Sequence, residues 1–243
     1  MIHFRGIYKS YDAFHALSPL TLSIGAGEVF GFLGPNGAGK TTTIRMMMGI
    51  LVPSGGSVKI DGFDCQRDAV EVKRRVGYLP DMPVFYDYLR AREILEFIGE
   101  MHGLGRKGAA VRARQLICEF GLEEAAEEFA VNFSLGMKKK LGLACAVIHD
   151  PAVLILDEPI NGLDPRASRE VQQLMRDWAA RGKTVFVSTH LLDMAEKLCT
   201  RVGIINRGQL IATGNMDELR ATLASQGSLE ELFLQLTGEP QAA

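Results

Sequence analysis

Short apolar runs in the first third of the chain predict β-strands. Residues 20–24 alternate weakly between apolar and polar side chains, and residues 28–33 form an apolar run that ends in a glycine-rich turn. The segment from Lys40 to about Ile50 follows this turn and predicts a helix. Two further strand candidates have the same pattern, at 57–60 and 75–79.

The pattern changes to a helical period between about residues 85 and 148. Apolar side chains there recur every three or four positions, which is the spacing of one helix face. A third helix is predicted to start near Ser134. The two clearest apolar faces consist of Ile94, Phe97, Ile98 and Met101, and of Ala113, Leu116, Ile117 and Phe120. This block therefore predicts an all-helical insertion between strands.

Strands and helices alternate again in the last part of the chain. Residues 153–156 form a short, wholly apolar strand, which is typical of a sheet covered on both faces. Asp164 followed by Pro165 predicts a helix start, because Asp caps helices and Pro suits their first position. The remaining predicted elements are a strand at 184–188, a hairpin from 201–206 and 209–212, and a helix at 228–236.

Composition narrows the class of protein. The chain has 243 residues, 47% hydrophobic and 23% charged, with a net charge of −2, which argues against a dedicated nucleic-acid binder. Its four cysteines lie far apart without a CxxC pair, so we expect buried thiols and neither a disulfide framework nor a zinc site. The start of the chain lacks the apolar run of a signal peptide, and no apolar run approaches the ~20 residues of a membrane span. We expect a cytoplasmic chain that reaches the membrane through a partner.

The glycine-rich turn carries the strongest chemical signal. It matches G-x-x-x-x-G-K-[ST] between a predicted strand and a predicted helix, where glycines let the backbone wrap closely round an anion. The N–H groups and the dipole of the following helix favour phosphate charge. Lys40 is expected to reach the β- and γ-phosphates, and the Thr41 hydroxyl to bind Mg²⁺. The loop consists of Gly34, Pro35, Asn36, Gly37, Ala38, Gly39, Lys40, Thr41 and Thr42.

Two carboxylates directly follow the apolar strand at 153–156. Asp157 and Glu158 come at the carboxyl end of this strand, which is the sheet edge where α/β folds bind nucleotides. Asp157 suits Mg²⁺ coordination, and Glu158 suits polarising the attacking water. Solvated acids at an ordinary strand end are the alternative, and a phosphate loop in the same chain favours the nucleotide site.

The order of motifs resembles the ATP-binding subunit of ABC transporters over about residues 2–237. That family has an aromatic loop, phosphate loop (Walker A), Gln loop, signature, Walker B, D-loop and switch histidine, and this chain has a candidate for each in that order. The resemblance implies an α/β P-loop NTPase with a mostly parallel sheet core, an N-terminal antiparallel β-subdomain and the helical insertion at 85–148. We predict one ABC ATPase domain over 1–237 and a tail at 238–243.

The resemblance also implies roles for residues outside the phosphate loop. Tyr11 corresponds to the aromatic residue that stacks on adenine, with Tyr8 as the competing candidate. His190 corresponds to the switch histidine that contacts the γ-phosphate, so the implied catalytic residues are Glu158, His190 and Lys40. Asp164 lies in the D-loop, which in the family crosses the dimer interface, and this role is compatible with capping a helix.

The signature motif departs from the family pattern. Instead of Leu-Ser-Gly-Gly-Gln, residues 133–137 are Phe-Ser-Leu-Gly-Met. Ser134 is expected to cap a helix whose N-terminus faces a γ-phosphate, and Gly136 to let that phosphate approach. The lysines at 138–140 form either a solvated face or extra positive potential near a triphosphate. This variant resembles the branch that serves ABC-2-type permeases.

The Gln loop departs as well, because Asp81 occupies its position. In the family the amide there binds Mg²⁺ and senses the membrane partner. The shorter, charged side chain of Asp81 is expected to reach the metal through water. The aromatic segment 82–89 follows, and it predicts either a socket for a cytoplasmic helix of the permease or part of the subdomain core.

The resemblance implies an ATP-hydrolysing subunit that pairs head to tail with a second ATPase chain, a copy or a paralogue, around two Mg-ATP. In each site the phosphate loop and Walker B of one subunit would face Ser134 and Gly136 of the other. An integral-membrane permease is the further implied partner, with export as the expected direction and a place on the cytoplasmic face of the membrane. No nucleic-acid partner is expected. The alternatives are a soluble ABC-type ATPase acting on ribosomes or DNA, and a small-molecule P-loop kinase.

Overall fold

The computed structural model of the chain describes residues 1–222 and 228–237, so the predicted tail at 238–243 lies outside the described residues. By its internal contacts the chain separates into two units. Unit 1 comprises Met1–Val72 and Met175–Ala243, and unit 2 comprises Lys73–Leu174. Each boundary falls inside a helix. That the whole of 1–237 acts as one ABC ATPase domain stays a prediction.

Unit 1 begins with a four-stranded antiparallel sheet in the order β2-β1-β4-β5. Buried apolar side chains alternate with exposed polar ones at the start of its first strand, where Ile2 and Phe4 are buried and His3 and Arg5 are exposed. This sheet confirms the expected N-terminal antiparallel subdomain. The elements of this first part are β1 (Ile2–Tyr11), β2 (Phe14–Ile24), β3 (Val29–Leu33), α1 (Lys40–Met47), β4 (Gly55–Ile60), β5 (Phe63–Asp64) and α2 (Ala69–Arg75).

Unit 2 contains a parallel strand pair and a helical region. Strands β6 and β7 pair in parallel, from Val76 opposite Val153 to Leu79 opposite Leu156. Helices α3 and α4 pack closely where Gly99 meets Ala109. A Cβ at Gly99 would lie 2.9 Å from the Ala109 Cβ, so the close approach depends on the glycine. The elements are β6 (Val76–Leu79), α3 (Ala91–Met101), α4 (Gly105–Glu119), a 3₁₀ turn at Ala130–Asn132, α5 (Leu135–Val147), β7 (Val153–Asp157) and α6 (Pro165–Ala180).

The chain then returns to unit 1 and completes a second sheet there. Strand β3 pairs in parallel with β8 and β9, and β10 joins β9 in the predicted antiparallel hairpin. The ring of Phe186 on β8 packs between those of Phe30 and Phe32, at centroid distances of 6.0 and 5.5 Å. The elements are β8 (Thr184–Thr189), α7 (Leu192–Leu198), β9 (Arg201–Asn206), β10 (Gln209–Gly214), α8 (Met216–Thr222) and α9 (Leu229–Thr237).

The C-terminal helices cover one face of this second sheet. Leu33, Val202 and Ile204 from the strands form a buried cluster with Leu219 of α8 and Leu232 of α9. Burying such side chains contributes roughly 1.5–3 kcal/mol each. The predicted helix at 228–236 therefore exists because its apolar face has a sheet to cover.

Several expectations from the sequence need correction. The helix predicted to reach Ile50 ends at Met47, and α2, α7 and α8 have no counterpart among the predicted elements. The expectation of buried thiols is wrong for Cys118, which is exposed on α4. Cys65 is buried as expected, and burial raises the pKa of its thiol to about 12.

Across 1–222 and 228–237, none of the helices combines the length and the apolar character that a membrane span requires.

Candidate functional site

The phosphate loop connects β3 to α1 in unit 1. Strand β3 is buried throughout its length, and the loop leaves it at Gly34, whose N–H donates to the Thr189 carbonyl at 3.4 Å. The loop closes on itself through the Ala38 N–H, which donates to the Pro35 carbonyl at 3.2 Å. Helix α1 begins at Lys40, so its first N–H groups lie at the end of the loop. The predicted strand–loop–helix arrangement is confirmed.

Two glycines of the loop are required by the backbone or by its surroundings. Gly39 has φ +105°, and a Cβ there would lie 2.8 Å from the Ala16 carbonyl oxygen. A Cβ at Gly34 would collide with the Ile205 carbonyl. At Gly37 the φ angle is +80°, but a Cβ would meet nothing within 4 Å. The loop is therefore open at Gly37, which leaves room for a bound anion. This phosphate loop, called the cradle below, fits a phosphate chain.

Lys40 lies inside the curve of the loop. Its side chain is buried, and its Nζ donates to the Gly34 carbonyl at 2.7 Å and to the Pro35 carbonyl at 3.2 Å. These two carbonyls of the loop hold the Lys40 ammonium at the centre of the loop. Thr41, the next residue, is exposed at the start of α1. The two side chains expected to meet phosphate and Mg²⁺ thus lie at one end of one helix.

His190 lies at the same sheet edge as the phosphate loop. Strands β3 and β8 run in parallel register, with Leu33 opposite Thr189, so the loop and His190 leave the sheet at the same level. The exposed His190 follows β8 directly, and the Leu191 N–H donates to the Thr189 hydroxyl at 3.0 Å. Ligands in open α/β sheets bind beyond the carboxyl ends of the strands. Within unit 1, the fold therefore brings together the cradle and the predicted switch histidine.

The exposure of the two tyrosines on β1 separates the adenine-stacking candidates. Tyr11 is 48% exposed, and the Lys9 ammonium lies 4.8 Å from its ring centroid. Tyr8 is half-buried and covers Gly55, where a Cβ would collide with its ring. Tyr8 is thus engaged in packing, while Tyr11 presents its ring to solvent. This favours Tyr11, whose contact with adenine stays a prediction.

In unit 2, the two predicted Walker B carboxylates lie at the end of β7. Asp157 ends the buried strand and is 2% exposed, and Glu158 is 6% exposed. Glu158 has a left-handed backbone with φ +47°, which costs free energy for a residue with a Cβ and is typical of functional sites. Its carbonyl accepts hydrogen bonds from the Asn161 N–H at 3.2 Å and from the Lys139 ammonium.

Ser134 caps α5 as predicted. Its hydroxyl accepts a hydrogen bond from the Met137 N–H at 3.3 Å, and its backbone is extended. A Cβ at Gly136 would make only an ordinary contact, 3.6 Å from Leu163. Packing inside the chain therefore does not require glycine at this place. The exposed, glycine-bearing start of α5 is a surface that another molecule can approach.

Asp164 caps α6, which begins at Pro165 as predicted. Its carboxylate accepts hydrogen bonds from the N–H groups of Arg166 at 2.9 Å and Ala167 at 3.0 Å. The Ala167 N–H, with that of Arg166, holds the pKa of this carboxyl below its ordinary value. The exposed Asp164 is therefore ionised at neutral pH. Its predicted role at a dimer interface stays a prediction.

The solvated-face interpretation of the three lysines is wrong for Lys139. Its side chain is 1% exposed, whereas Lys138 is half-buried and Lys140 pairs with Glu170 on α6 at 3.1 Å. The Lys139 ammonium lies 3.6 Å from Oδ1 of Asp81. The sequence pattern assigns no separate function to Lys139. Its spacing, however, places it on one face of α5 with Gly142 and Ala146, which indicates a buried position.

The aromatic segment at 82–89 is largely on the surface of unit 2. Tyr86 and Tyr88 are exposed, and with Phe97 they line a depression of about 450 Å³. The rings of Tyr86 and Phe97 meet edge to face at a centroid distance of 6.4 Å. The expectation of subdomain core is wrong for these two tyrosines. An exposed aromatic depression is a feature of interaction surfaces.

Among the described residues, no cluster of three or more His, Cys, Asp or Glu side chains is arranged to hold a metal ion. Mg²⁺ is commonly held by one or two protein groups together with the oxygens of a phosphate ligand. Thr41, exposed in unit 1, and Asp157, buried in unit 2, each carry an oxygen of the kind that Mg²⁺ binds.

Residues 17–161 match the protein family described as ABC transporter, which is more than half of the chain. This chain belongs to the ABC transporter family. The daunorubicin resistance ATP-binding protein DrrA3 of Streptomyces coeruleorubidus is 37% identical over 238 residues, covering 98% of this chain and 75% of that protein. The bacitracin transport ATP-binding protein BcrA of Bacillus licheniformis is 39% identical over 213 residues, covering 87% of this chain and 69% of that protein.

Another relative of this ABC transporter family member is much longer. The probable multidrug ABC transporter ATP-binding protein YbhF of Escherichia coli is 35% identical over 240 residues. That match covers 97% of this chain and 41% of YbhF, so the chain spans about two fifths of that protein's length. The recognition of the family from its motif order is confirmed, and several relatives are resistance or drug-transport proteins.

Solved structures confirm the fold. A structure described as the ATP binding subunit of an ABC transporter has a TM-score of 0.91 and 32% identity, covering 97% of this chain and 99% of that one. The ATP-binding cassette MJ0796, in a dimeric post-hydrolysis state bound to ADP and Pi, has a TM-score of 0.82 at 23% identity. The match covers 89% of this chain and 99% of that one. The predicted P-loop NTPase architecture is thereby confirmed. The roles of individual site residues stay predictions.

Proposed function

We propose that this chain is the ATP-binding and ATP-hydrolysing subunit of an ABC exporter and drives a separate membrane permease. The observation that carries the proposal is the phosphate loop. Its backbone excludes a Cβ at Gly39, leaves open space at Gly37 and holds the Lys40 charge at its centre. A loop of this geometry at the start of a helix suits a polyphosphate chain.

Each predicted site residue has a defined task in this proposal. Lys40 and the N–H groups at the start of α1 bind the phosphates, and Tyr11 offers its exposed ring to the base. Thr41 and Asp157 are the proposed ligands of Mg²⁺, with Asp81 contributing through water. Bound Mg-ATP would supply the phosphoanhydride bond whose hydrolysis by water, to ADP and phosphate, releases the free energy for transport.

Glu158 is the proposed residue that polarises the attacking water. Glu158 follows a buried strand on a left-handed backbone, and its 6% exposure shields it from bulk solvent. A carboxylate in this role orients water and accepts its proton. His190, at the edge shared with the phosphate loop, is the proposed contact of the γ-phosphate.

A second ATPase chain completes the site in this proposal. The exposed start of α5 carries Ser134 as its cap and Gly136, which internal packing does not require. We propose that these residues face the γ-phosphate held by a partner ATPase chain, with the exposed Asp164 near the same interface. The partner is either a copy of this chain or a paralogue.

The permease and the direction of transport are supported by two observations. The relatives DrrA3 and BcrA are named for daunorubicin resistance and bacitracin transport, and these names support export driven through a membrane permease. The depression beside Tyr86 and Tyr88 offers an aromatic surface on unit 2. We propose that a cytoplasmic helix of the permease docks there and holds this subunit at the cytoplasmic face of the membrane.

The variant Glu158→Gln tests the hydrolytic role. It keeps the size of the side chain and removes the charge that accepts a proton from water. We expect phosphate release to fall by about 10²–10⁴-fold, the usual contribution of such a group, while ATP binding is retained. With ATP and Mg²⁺ the variant is expected to elute as a dimer in size-exclusion chromatography.

Glu119→Gln, on the exposed surface of α4, is the matched control and should hydrolyse ATP at the wild-type rate. Wild-type turnover by Glu158→Gln would remove Glu158 from the mechanism. The label of γ-³²P-ATP should appear as inorganic phosphate. Its appearance on a small molecule would indicate a kinase instead.

A further inference from the structure

Lys139 is a buried cation that the proposed reaction does not yet use. It lies on α5 five positions after the capping Ser134, with 1% of its side chain exposed. Charged side chains at this depth occur with partners, because removing a charge from water is costly. Its Nζ has two oxygens within reach, the Glu158 carbonyl and Oδ1 of Asp81 at 3.6 Å.

Both oxygens belong to segments that the proposed function uses. Glu158 carries the carboxylate that polarises water, and Asp81 occupies the Gln-loop position. Lys139 therefore lies between the catalytic strand end and the loop that leads to the aromatic depression. Burial lowers the pKa of the ammonium, and the nearby Asp81 carboxylate opposes that shift.

The contact with the Glu158 carbonyl acts on a strained piece of backbone. Glu158 is held at φ +47°, and its carbonyl also accepts the Asn161 N–H at 3.2 Å. Two donors from different segments therefore hold one oxygen, which restricts rotation of the peptide that follows Glu158. The direction of the Glu158 side chain depends on that restriction, because a strained backbone persists only where its surroundings hold it.

We propose that Lys139 is a positioning residue for ATP hydrolysis, which holds the Glu158 peptide in its left-handed conformation and ties it to Asp81. The proposal rests on the proposed function, since it takes Glu158 as the group that polarises water. Lys139 itself touches no reacting atom. A displacement of the loop that carries Asp81 would alter the contact between Lys139 and Asp81. Because Lys139 also contacts the Glu158 carbonyl, the same displacement would change the position of Glu158.

The first test is Lys139→Met, which keeps the length of the side chain and removes both the charge and the donor. We expect kcat for ATP hydrolysis to fall at least tenfold, while KM and the dissociation constant for ATP change less than twofold. This split is expected because Lys139 positions Glu158 and does not bind nucleotide. A general loss of structure would change ATP binding together with kcat.

Lys107→Met is the matched control, because Lys107 is exposed on α4 of the same unit. It should leave kcat and KM unchanged. Lys139→Gln serves as a second variant that retains a polar head, and thermal melting of each variant reports whether it folds. A folded Lys139→Met variant with kcat within twofold of wild type would overturn the proposal.

A double-mutant cycle with Asp81→Asn tests the tie to Asp81. If Lys139 links Asp81 to Glu158, the two substitutions disrupt the same link. The fold decrease in kcat of the double variant should then be smaller than the product of the fold decreases of the two single variants. Effects that multiply would overturn the tie. An inactive wild-type protein would contradict the proposed function itself. An active wild type with an inactive Glu158→Gln and a normal Lys139→Met would contradict only this inference.

Discussion

At the scale of single residues, left-handed backbone occurs where the chain leaves β3 and β7 for the predicted nucleotide-binding residues. Gly37 and Gly39 have positive φ angles after β3, and Glu158 has one after β7. Glycine accepts this conformation without steric cost, whereas Glu158 does not. The Glu158 carbonyl accepts one hydrogen bond from the nearby Asn161 N–H and one from the distant Lys139 ammonium, and the second depends on the tertiary structure.

Gly39→Ala is predicted to abolish ATP binding. The φ of +105° is strained for alanine, and the added Cβ would lie 2.8 Å from the Ala16 carbonyl, so the loop must open. We expect the free energy of unfolding to fall by about 1–3 kcal/mol, measured by urea denaturation. Binding is measured by titration with a fluorescent ATP analogue.

Gly62→Ala is the control for this prediction. Gly62 has φ +85° in the turn between β4 and β5, and a Cβ there meets nothing within 4 Å. Its substitution is expected to add backbone strain and leave ATP binding intact. Wild-type affinity in Gly39→Ala would show that the loop does not form the cradle described above.

At the scale of elements, α5 joins the predicted signature to the interior of unit 2. Its N-terminus is capped by Ser134 at the surface, while further along the helix Gly142 faces β6. A Cβ at Gly142 would lie 2.6 Å from Leu79 and 3.3 Å from Pro83. The close approach of helix to strand therefore depends on the missing side chain, and it positions the loop that carries Asp81.

Two helical glycines in unit 2 are predicted to respond in opposite ways to substitution by alanine. Gly142→Ala overpacks the contact with Leu79 and should destabilise the protein by about 1–3 kcal/mol. Gly108→Ala, on α4, adds a Cβ whose nearest neighbour is 3.8 Å away, and should stabilise the helix by about 0.5–1 kcal/mol. Urea denaturation of both variants measures the difference, and equal effects would contradict the packing described.

At the scale of the whole molecule, the proposed site needs two chains. The phosphate loop belongs to unit 1 and the capped start of α5 belongs to unit 2. In the proposed site, the start of α5 comes from a partner chain. Binding that requires two chains follows mass action, so its extent depends on protein concentration.

The specific ATPase activity is therefore predicted to rise with protein concentration. The rate of phosphate release should increase more than linearly until the dimer saturates. Gly136→Glu is expected to remove this dependence, because its side chain would block the approach of a phosphate, and its Cβ makes only an ordinary contact within the chain. A strictly linear rate for the wild type would argue against the shared site.

The parts of the fold that follow from local chemistry were predictable. The phosphate loop is set by glycines and a lysine at fixed spacing, and α6 starts where Asp164 precedes Pro165. The apolar runs at 153–156 and 184–188 needed no more than their composition to indicate buried strands. The order of these motifs then sufficed to recognise the family.

Other features arise from contacts between residues far apart in sequence. Lys139 and Glu158 are 19 positions apart, and neither the burial of the lysine nor the left-handed glutamate follows from its neighbours in the chain. Likewise, the exposure of Cys118 and Tyr86 depends on which helix faces are covered. Local chemistry specifies turns and caps because their hydrogen bonds join residues close in sequence, and buried strands are predictable from their apolar runs, although their partners are distant. Burial and strain depend on packing, which exists only once distant segments meet.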